Sequence, residues 1–291
     1  MAHLFCFGYG YCAAALSRRV MARGWAVTGT CRQADHAEDL KAEGVRAVVF
    51  DGLSPSPDVT AALKDATHIL VSIAPDADGD PVLVHHGADI AALGDQVAWI
   101  GYLSATGVYG DRGGEWVDED SALAPTTNRG RSRLDAEWDW LELGKKSGRP
   151  VHLFRLSGIY GPGRSQLDAV LDGTARRVIK EGQVFSRAHV DDIATVLEAS
   201  IAAPNPGRAY NVCDDEPAPP QDVIAYAAML LGRPLPDEVP FEDAPLSPMA
   251  RTFYSESKRV SNKRIKEELG VTLRYPSYKE GLKALAAEME R

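Results

Sequence analysis

Short apolar runs alternate with stretches of helical spacing from the start of the chain. The run Leu4-Phe5-Cys6-Phe7 suits a strand buried on both faces, and two glycines, Gly8 and Gly10, break it before Ala13-Ala14-Ala15-Leu16 begins a helical pattern. That helix, over 13–23, stops at Gly24. Strands are predicted over 25–31, 45–50, 67–73 and 96–103, with helices over 37–43, 59–64 and 82–93 between them. The alternation predicts βαβ units and a parallel sheet. Next come a polar surface loop over 111–128, a helix over 131–143 with Leu134, Trp138 and Leu141 on one stripe, and a sixth strand over 151–156. The remainder reads as helices over 167–179, 189–202 and 221–231, a short strand over 209–212, a proline-rich loop over 234–248, and basic helices over 261–269 and 279–289.

Composition narrows the function classes. The 291 residues carry 32 basic and 41 acidic side chains, a formal charge of −9. That balance argues against broad nucleic-acid binding, which needs a basic face, but allows a local basic pocket for a phosphorylated ligand. Cys6, Cys12, Cys31 and Cys213 lack the Cys-x-x-Cys spacing of zinc or redox sites, so buried free thiols and no metal are expected. No apolar run approaches the ~20 residues of a membrane span, and the N-terminus lacks a signal-peptide basic region. A cytoplasmic protein with no membrane partner is the expectation.

The opening stretch carries the first chemistry. A strand, a glycine turn and a helix in that order gather backbone N–H groups at a helix N-terminus, an arrangement that binds a pyrophosphate. The pattern is Gly8-x-Gly10-x-x-Ala13, with Tyr9, Tyr11 and Cys12 supplying the intervening backbone. Asp51-Gly52, at the tip of the third strand, is placed either to accept from an adenine amino group or to cap the next helix. The second strand ends in Thr30-Cys31-Arg32 rather than in the acid that usually binds a ribose 2′-hydroxyl. A carboxylate would repel a 2′-phosphate, whereas Arg32 can pair with one, so NADP is favoured over NAD. The alternative is an Arg32 that simply faces solvent.

Further motifs follow in order: Ser104-Ala105-Thr106-Gly107-Val108-Tyr109-Gly110, then Arg155 to Gly163, then Arg187-Ala188-His189-Val190-Asp191-Asp192, then Tyr210-Asn211-Val212. Taken with the glycine turn and Asp51-Gly52, they make the chain resemble the extended short-chain dehydrogenase/reductases, the NAD-dependent epimerase/dehydratase family. The resemblance covers nearly the whole chain. It implies an α/β fold: a Rossmann doubly wound parallel sheet with a smaller C-terminal α/β substrate region. The domains would be 1–160, with 187–213 returning to it, and a substrate region of 161–186 and 214–291. It further implies that Ile73-Ala74-Pro75 passes along the nicotinamide ribose, that the loop from Ser157 and Gly158 to Gly163 lies near the nicotinamide, and that Ser104 borders the cofactor. Arg187 resembles a position near a nucleotide-sugar diphosphate, and Arg164 is a further basic candidate for substrate. Asp191 and Asp192 would serve structurally, at a helix start. Phe7 stands where many family members begin their glycine run.

Catalysis is where the chain departs from that family. Its relay uses a Ser or Thr, a Tyr, and a Lys four residues after the Tyr; here those positions fall on Ala105, Arg129 and Arg133. Arginine keeps its proton at neutral pH and cannot replace the tyrosine as acid or base. The literal matches Tyr254 to Lys258 and Tyr275 to Lys279 lie far downstream, the second interrupted by Pro276. Thr106 and Tyr109 are the candidates for an atypical proton donor. Tyr109 is also a substrate-binding candidate, its alternative being a packed loop aromatic. Two functions stay open: an oxidoreductase or epimerase of the nucleotide-sugar type, and a non-catalytic NADP-binding sensor or regulatory protein. The expected partner is a small molecule, a nucleotide sugar being one class, and a homodimer stays open.

Overall fold

The computed structural model describes residues 2–290. In chain order the elements are β1 (His3–Phe7), α1 (Tyr11–Met21), β2 (Ala26–Cys31), α2 (Ala34–Ala42), β3 (Arg46–Val49), α3 (Pro57–Leu63), β4 (His68–Val71), α4 (Pro81–Ala91) and β5 (Trp99–Ala105). Then follow β6 (Trp116–Val117), α5 (Asn128–Ser147), β7 (Val151–Leu156), β8 (Gly158–Tyr160), α6 (Gln166–Leu171), β9 (Arg177–Ile179), β10 (Arg187–His189) and α7 (Val190–Ala202). The last are β11 (Ala209–Val212), α8 (Pro220–Leu230), β12 (Glu238–Pro240), α9 (Pro248–Tyr254), β13 (Arg259–Val260), α10 (Lys263–Leu269) and α11 (Tyr278–Met289). Two compact units form: one holds residues up to Val108 with Asn128–Arg155 and Ala194–Tyr210, the other Tyr109–Thr127, Leu156–Ile193 and the chain from Asn211 onward.

The first unit is built on a seven-stranded parallel sheet in the order β11-β7-β5-β4-β1-β2-β3. All five residues of β1 are buried, as expected of a run apolar on both faces. Phe5 lies opposite Thr28 on β2 and Ile69 on β4. Strand order therefore reverses at β1: the chain moves outward through β2 and β3, then crosses to β4 and runs the other way. In sheets of this kind ligands bind outside the carboxyl ends of the strands at that switch point, here the ends of β1 and β4. The core beneath packs Phe5, Phe7, Ile69, Val71, Ile100, Tyr102, Trp140 and Leu153. The ring of His152 accepts from the Asn205 amide at 2.9 Å and donates to the Ile100 carbonyl at 3.2 Å, and burial lowers its pKa to about 4, so the ring stays neutral.

The second unit contains only short strands. β8 and β10 pair in parallel, Gly158 opposite Arg187 and Tyr160 opposite His189, and β9 pairs with β12. Its core gathers Tyr160, Leu167, Val223, Ala227, Tyr278, Leu282 and Leu285. Tyr160 packs directly on Gly281, a contact no larger residue would permit. The single helix expected over 167–179 is instead α6 followed by β9. Ser165 and Asp168 close a capping box at the start of α6, and Gly173, at φ 69°, turns the chain just beyond its end. The expected loop over 234–248 contains β12. Among the described residues, no helix is long and apolar enough to cross a membrane.

Candidate active site

The turn between β1 and α1 is shaped by close packing in the first unit. Gly8 has φ 82°, and a Cβ there would lie 2.9 Å from Ile73 Cγ1 and 3.0 Å from Ser72 Oγ. Its N–H donates to Thr30 Oγ1 at 2.8 Å, the Tyr9 N–H donates to the Thr30 carbonyl at 2.9 Å, and the Ser72 hydroxyl donates to the Gly8 carbonyl. The turn is thus tied to the ends of β2 and β4. Gly10 is the N-cap of α1, where no side chain makes a capping hydrogen bond and the first turn contains no acid. A helix start of this kind presents amide dipoles to an anion. Tyr11, Cys12 and Ala13 form that first turn. The Tyr9 ring lies against Gly29, where an added Cβ would come within 2.6 Å of it.

The other expected cofactor residues of this unit line the strand ends. Arg32 is exposed just past β2, in a stretch with no carboxylate until Asp35 in the first turn of α2. Asp51 is exposed, and its Oδ1 accepts from the Leu53 amide at 2.8 Å, closing a turn through Gly52 at φ 84°. Ile73, Ala74 and Pro75 follow β4, with Ile73 packed on the core beside Gly8. Ser104 is buried near the end of β5, and its hydroxyl has no hydrogen-bond partner.

The positions matching the relay lie on β5 and α5. Ala105 is half-buried and Arg129 is exposed. Arg133 donates to the Leu103 carbonyl at 2.7 Å and to the Tyr102 hydroxyl at 3.2 Å, its guanidinium 5.8 Å from the Tyr102 ring centre. Burial raises the Tyr102 phenol beyond its ordinary range, so it holds its proton. One turn along α5, Glu137 pairs with Arg155, the closest contact 2.8 Å and both side chains buried. Thr106 is half-buried in the 3-10 turn that follows β5.

In the second unit, Tyr109 is fully buried and donates to Asn211 Oδ1 at 2.7 Å, while the Asn211 amide donates to Glu119 at 2.7 Å. The hydroxyl of Ser157 donates to the Val212 carbonyl at 3.0 Å, and Gly158 begins β8 with its amide on the Ser186 carbonyl at 3.1 Å. Arg164 is exposed on the turn closed between Gly161 and Arg164. Arg187 is buried, and burial lowers its pKa. Asp192 accepts the amides of Arg274 and Tyr275 at 2.7 and 3.0 Å, tying the start of α7 to the segment before α11. Sequence reasoning missed Asp214, 2% exposed, whose carboxyl burial pushes up to about 8. Its only signal was an acid two residues after the apolar strand ending at Val212. No group of three or more His, Cys, Asp or Glu side chains suited to a metal ion occurs among the described residues.

No family model matches this chain. Protein YeeZ of Escherichia coli (strain K12) is 29% identical over 279 residues, spanning 92% of this chain and 94% of its own. The dTDP-glucose 4,6-dehydratase of Bacillus anthracis str. Ames, solved in complex with NAD, superposes with a TM-score of 0.78 at 16% identity, over 100% of this chain and 97% of that one. That likeness is one of fold: a Rossmann-like parallel sheet flanked by helices. A functionally unknown conserved protein from Silicibacter pomeroyi DSS is 54% identical with a TM-score of 0.91, each chain covered in full. The chain belongs to the same family as that conserved Silicibacter pomeroyi protein.

Proposed function

We propose that this chain binds a nicotinamide dinucleotide, NADP in preference to NAD, and acts as an oxidoreductase or epimerase on a small molecule of the nucleotide-sugar class. The carrying observation is the Gly8 turn, packed against Ile73 at the point where strand order reverses and leading into a helix start free of side-chain caps and acids. The fold shared with a dehydratase solved with NAD supports the same reading. The residues fit the group: amides from Gly8 to Ala13 would hold the pyrophosphate, Asp51 and Gly52 would border the adenine, and Arg32 would take the 2′-phosphate. Ile73, Ala74, Pro75 and Ser104 would bound the nicotinamide end. Bound there, the dinucleotide supplies reversible hydride transfer.

The proton chemistry must differ from a Ser–Tyr–Lys relay. Arg133 keeps its charge and directs it at the Leu103 carbonyl and the Tyr102 hydroxyl, so it stabilises negative charge near the end of β5 without moving a proton. Of the two candidate donors, Tyr109 has its hydroxyl hydrogen directed at Asn211, which leaves Thr106 and the unpartnered Ser104 hydroxyl as the groups able to orient a substrate hydroxyl. Arg164, exposed, is the proposed substrate cation, whereas Arg187 is buried with its guanidinium on the Phe185 and Ala218 carbonyls. A purified sample incubated with NADPH or NADP and a panel of nucleotide sugars and small carbonyl compounds tests this. Cofactor oxidation, cofactor reduction or sugar isomerisation is expected; binding without any turnover would favour the second reading, a non-catalytic NADP sensor. That second reading draws on one observation: Arg129 and Arg133 stand where the relay of the resembled family has its Tyr and its Lys.

A further inference from the structure

A buried guanidinium and a buried carboxyl in the second unit lie side by side without joining. Arg187 is 6% exposed and Asp214 is 2% exposed, and the Asp214 amide donates to the Arg187 carbonyl at 2.6 Å. Yet neither oxygen of the Asp214 carboxyl has a hydrogen-bond partner, although the amides of Arg187 and Glu216 lie close enough to favour its charge. The Arg187 side chain is used elsewhere. Its Nη1 donates to the Phe185 carbonyl at 2.9 Å and to the Ala218 carbonyl at 3.1 Å. These two residues form a bridge in which each amide also donates to the other's carbonyl, both at 3.1 Å. One guanidinium nitrogen therefore clamps both ends of a two-bond bridge, just ahead of α8 and its core residues Val223 and Ala227.

The arrangement has two self-consistent forms. A neutral carboxyl makes no demand on the guanidinium, which then serves the carbonyls. A carboxylate in the same buried place is costly unless a cation pairs with it, and the nearest cation is Arg187. The other groups facing Asp214 do not compensate: Tyr160 on β8 donates to the Ser277 carbonyl at 3.4 Å, and Cys213 and Asp215 on its own segment add no positive charge. Around Arg187 stand Tyr254, Tyr278 and Tyr160, none of them charged at neutral pH. We propose that Asp214 and Arg187 form a proton-operated switch: with Asp214 neutral, Arg187 clamps the Phe185–Ala218 bridge; with Asp214 ionised, the guanidinium turns to the carboxylate and the bridge ahead of α8 loosens. The proton leaves to solvent, and no other group changes charge. This switch does not depend on the dinucleotide reading.

Burial sets the operating point, since it pushes the carboxyl up to about 8. The ionised share then rises about tenfold between pH 7 and pH 9. The test follows amide hydrogen exchange of Phe185 and Ala218 in the full chain, each divided by the exchange of Leu282 in α11 to remove the intrinsic pH effect. Between pH 7 and pH 9 the ratio is expected to rise about tenfold in the wild type, by release of a local opening, and to stay flat in Asp214→Asn, which keeps the neutral shape. A constant wild-type ratio, or the same rise in both proteins, overturns the proposal. The carbon-13 resonance of the Asp214 carboxyl gives a reading that needs no stable variant. A midpoint near 8 is expected, and one in the ordinary carboxylate range near ~4 overturns it.

Discussion

A methyl group on Gly8 would sit 2.9 Å from Ile73 Cγ1, on a backbone at φ 82° that side-chain-bearing residues rarely adopt. Gly8→Ala must therefore both strain the turn and push the end of β4 aside. A left-handed conformation costs a non-glycine residue about 1–2 kcal/mol before any clash is counted. The variant is expected to melt several degrees lower and to lose dinucleotide affinity at least about tenfold, a 1.4 kcal/mol effect; calorimetric titration beside a thermal melt measures both. Unchanged affinity would show that the turn does not carry the pyrophosphate. This residue was legible because its constraint is local: a strand, a tight turn and a helix start are written in adjacent letters. Arg32 was picked out in the same way, as the missing acid at a strand tip, and it is exposed there. Asp214 and Arg187 were not legible, because what makes them unusual is burial, an unpartnered carboxyl on the first and two backbone carbonyls held by the second, all of which arise from contacts between distant segments. Arg187 drew notice as a cation for substrate, yet its side chain is bonded to the carbonyls of Phe185 and Ala218.

Helix α5 shows how one element directs two charges at the sheet, Glu137 buried and Arg133 half-buried. Arg133 and Glu137 lie one turn apart, so both point back at the sheet, the first to the end of β5 and the second to Arg155 on β7. Removing one partner of a buried pair leaves an uncompensated charge, which costs about 3–5 kcal/mol. Glu137→Ala is accordingly expected to lower the denaturant midpoint sharply, while the double variant Glu137→Leu/Arg155→Met recovers most of the loss. A small effect of the single change would mean that water reaches Arg155. The helix itself was foreseen over 131–143 from its apolar stripe, and it extends over Asn128–Ser147, but Trp138 of that stripe is exposed and Trp140 is the tryptophan buried in the core. The added turns at each end are polar, so they carry no hydrophobic periodicity to read. The same limit explains β9 and β12: three-residue strands are too short to display an alternation, and only their pairing with each other defines them.

At the scale of the whole molecule, the alternation of apolar runs and helical spacing was enough to foresee the parallel sheet, because each buried strand needs a continuous apolar run. Strand order was not contained in that pattern, and it is the order that places Gly8 and Ile73 at the switch point. The formal charge of −9 opposes an anionic ligand at long range, so any dinucleotide must be held by local groups: helix amides and a cation such as Arg32. This makes cofactor selectivity the sharpest probe of the account. NADP and NAD should be titrated into the full chain and into Arg32→Ala, following tryptophan fluorescence at fixed ionic strength. The account predicts saturable binding of both by the wild type, NADP the tighter, with Arg32→Ala weakening NADP at least about tenfold, by loss of a charge-assisted contact worth 1.5–3 kcal/mol, and leaving NAD unchanged. Failure of the wild type to bind either dinucleotide would contradict it.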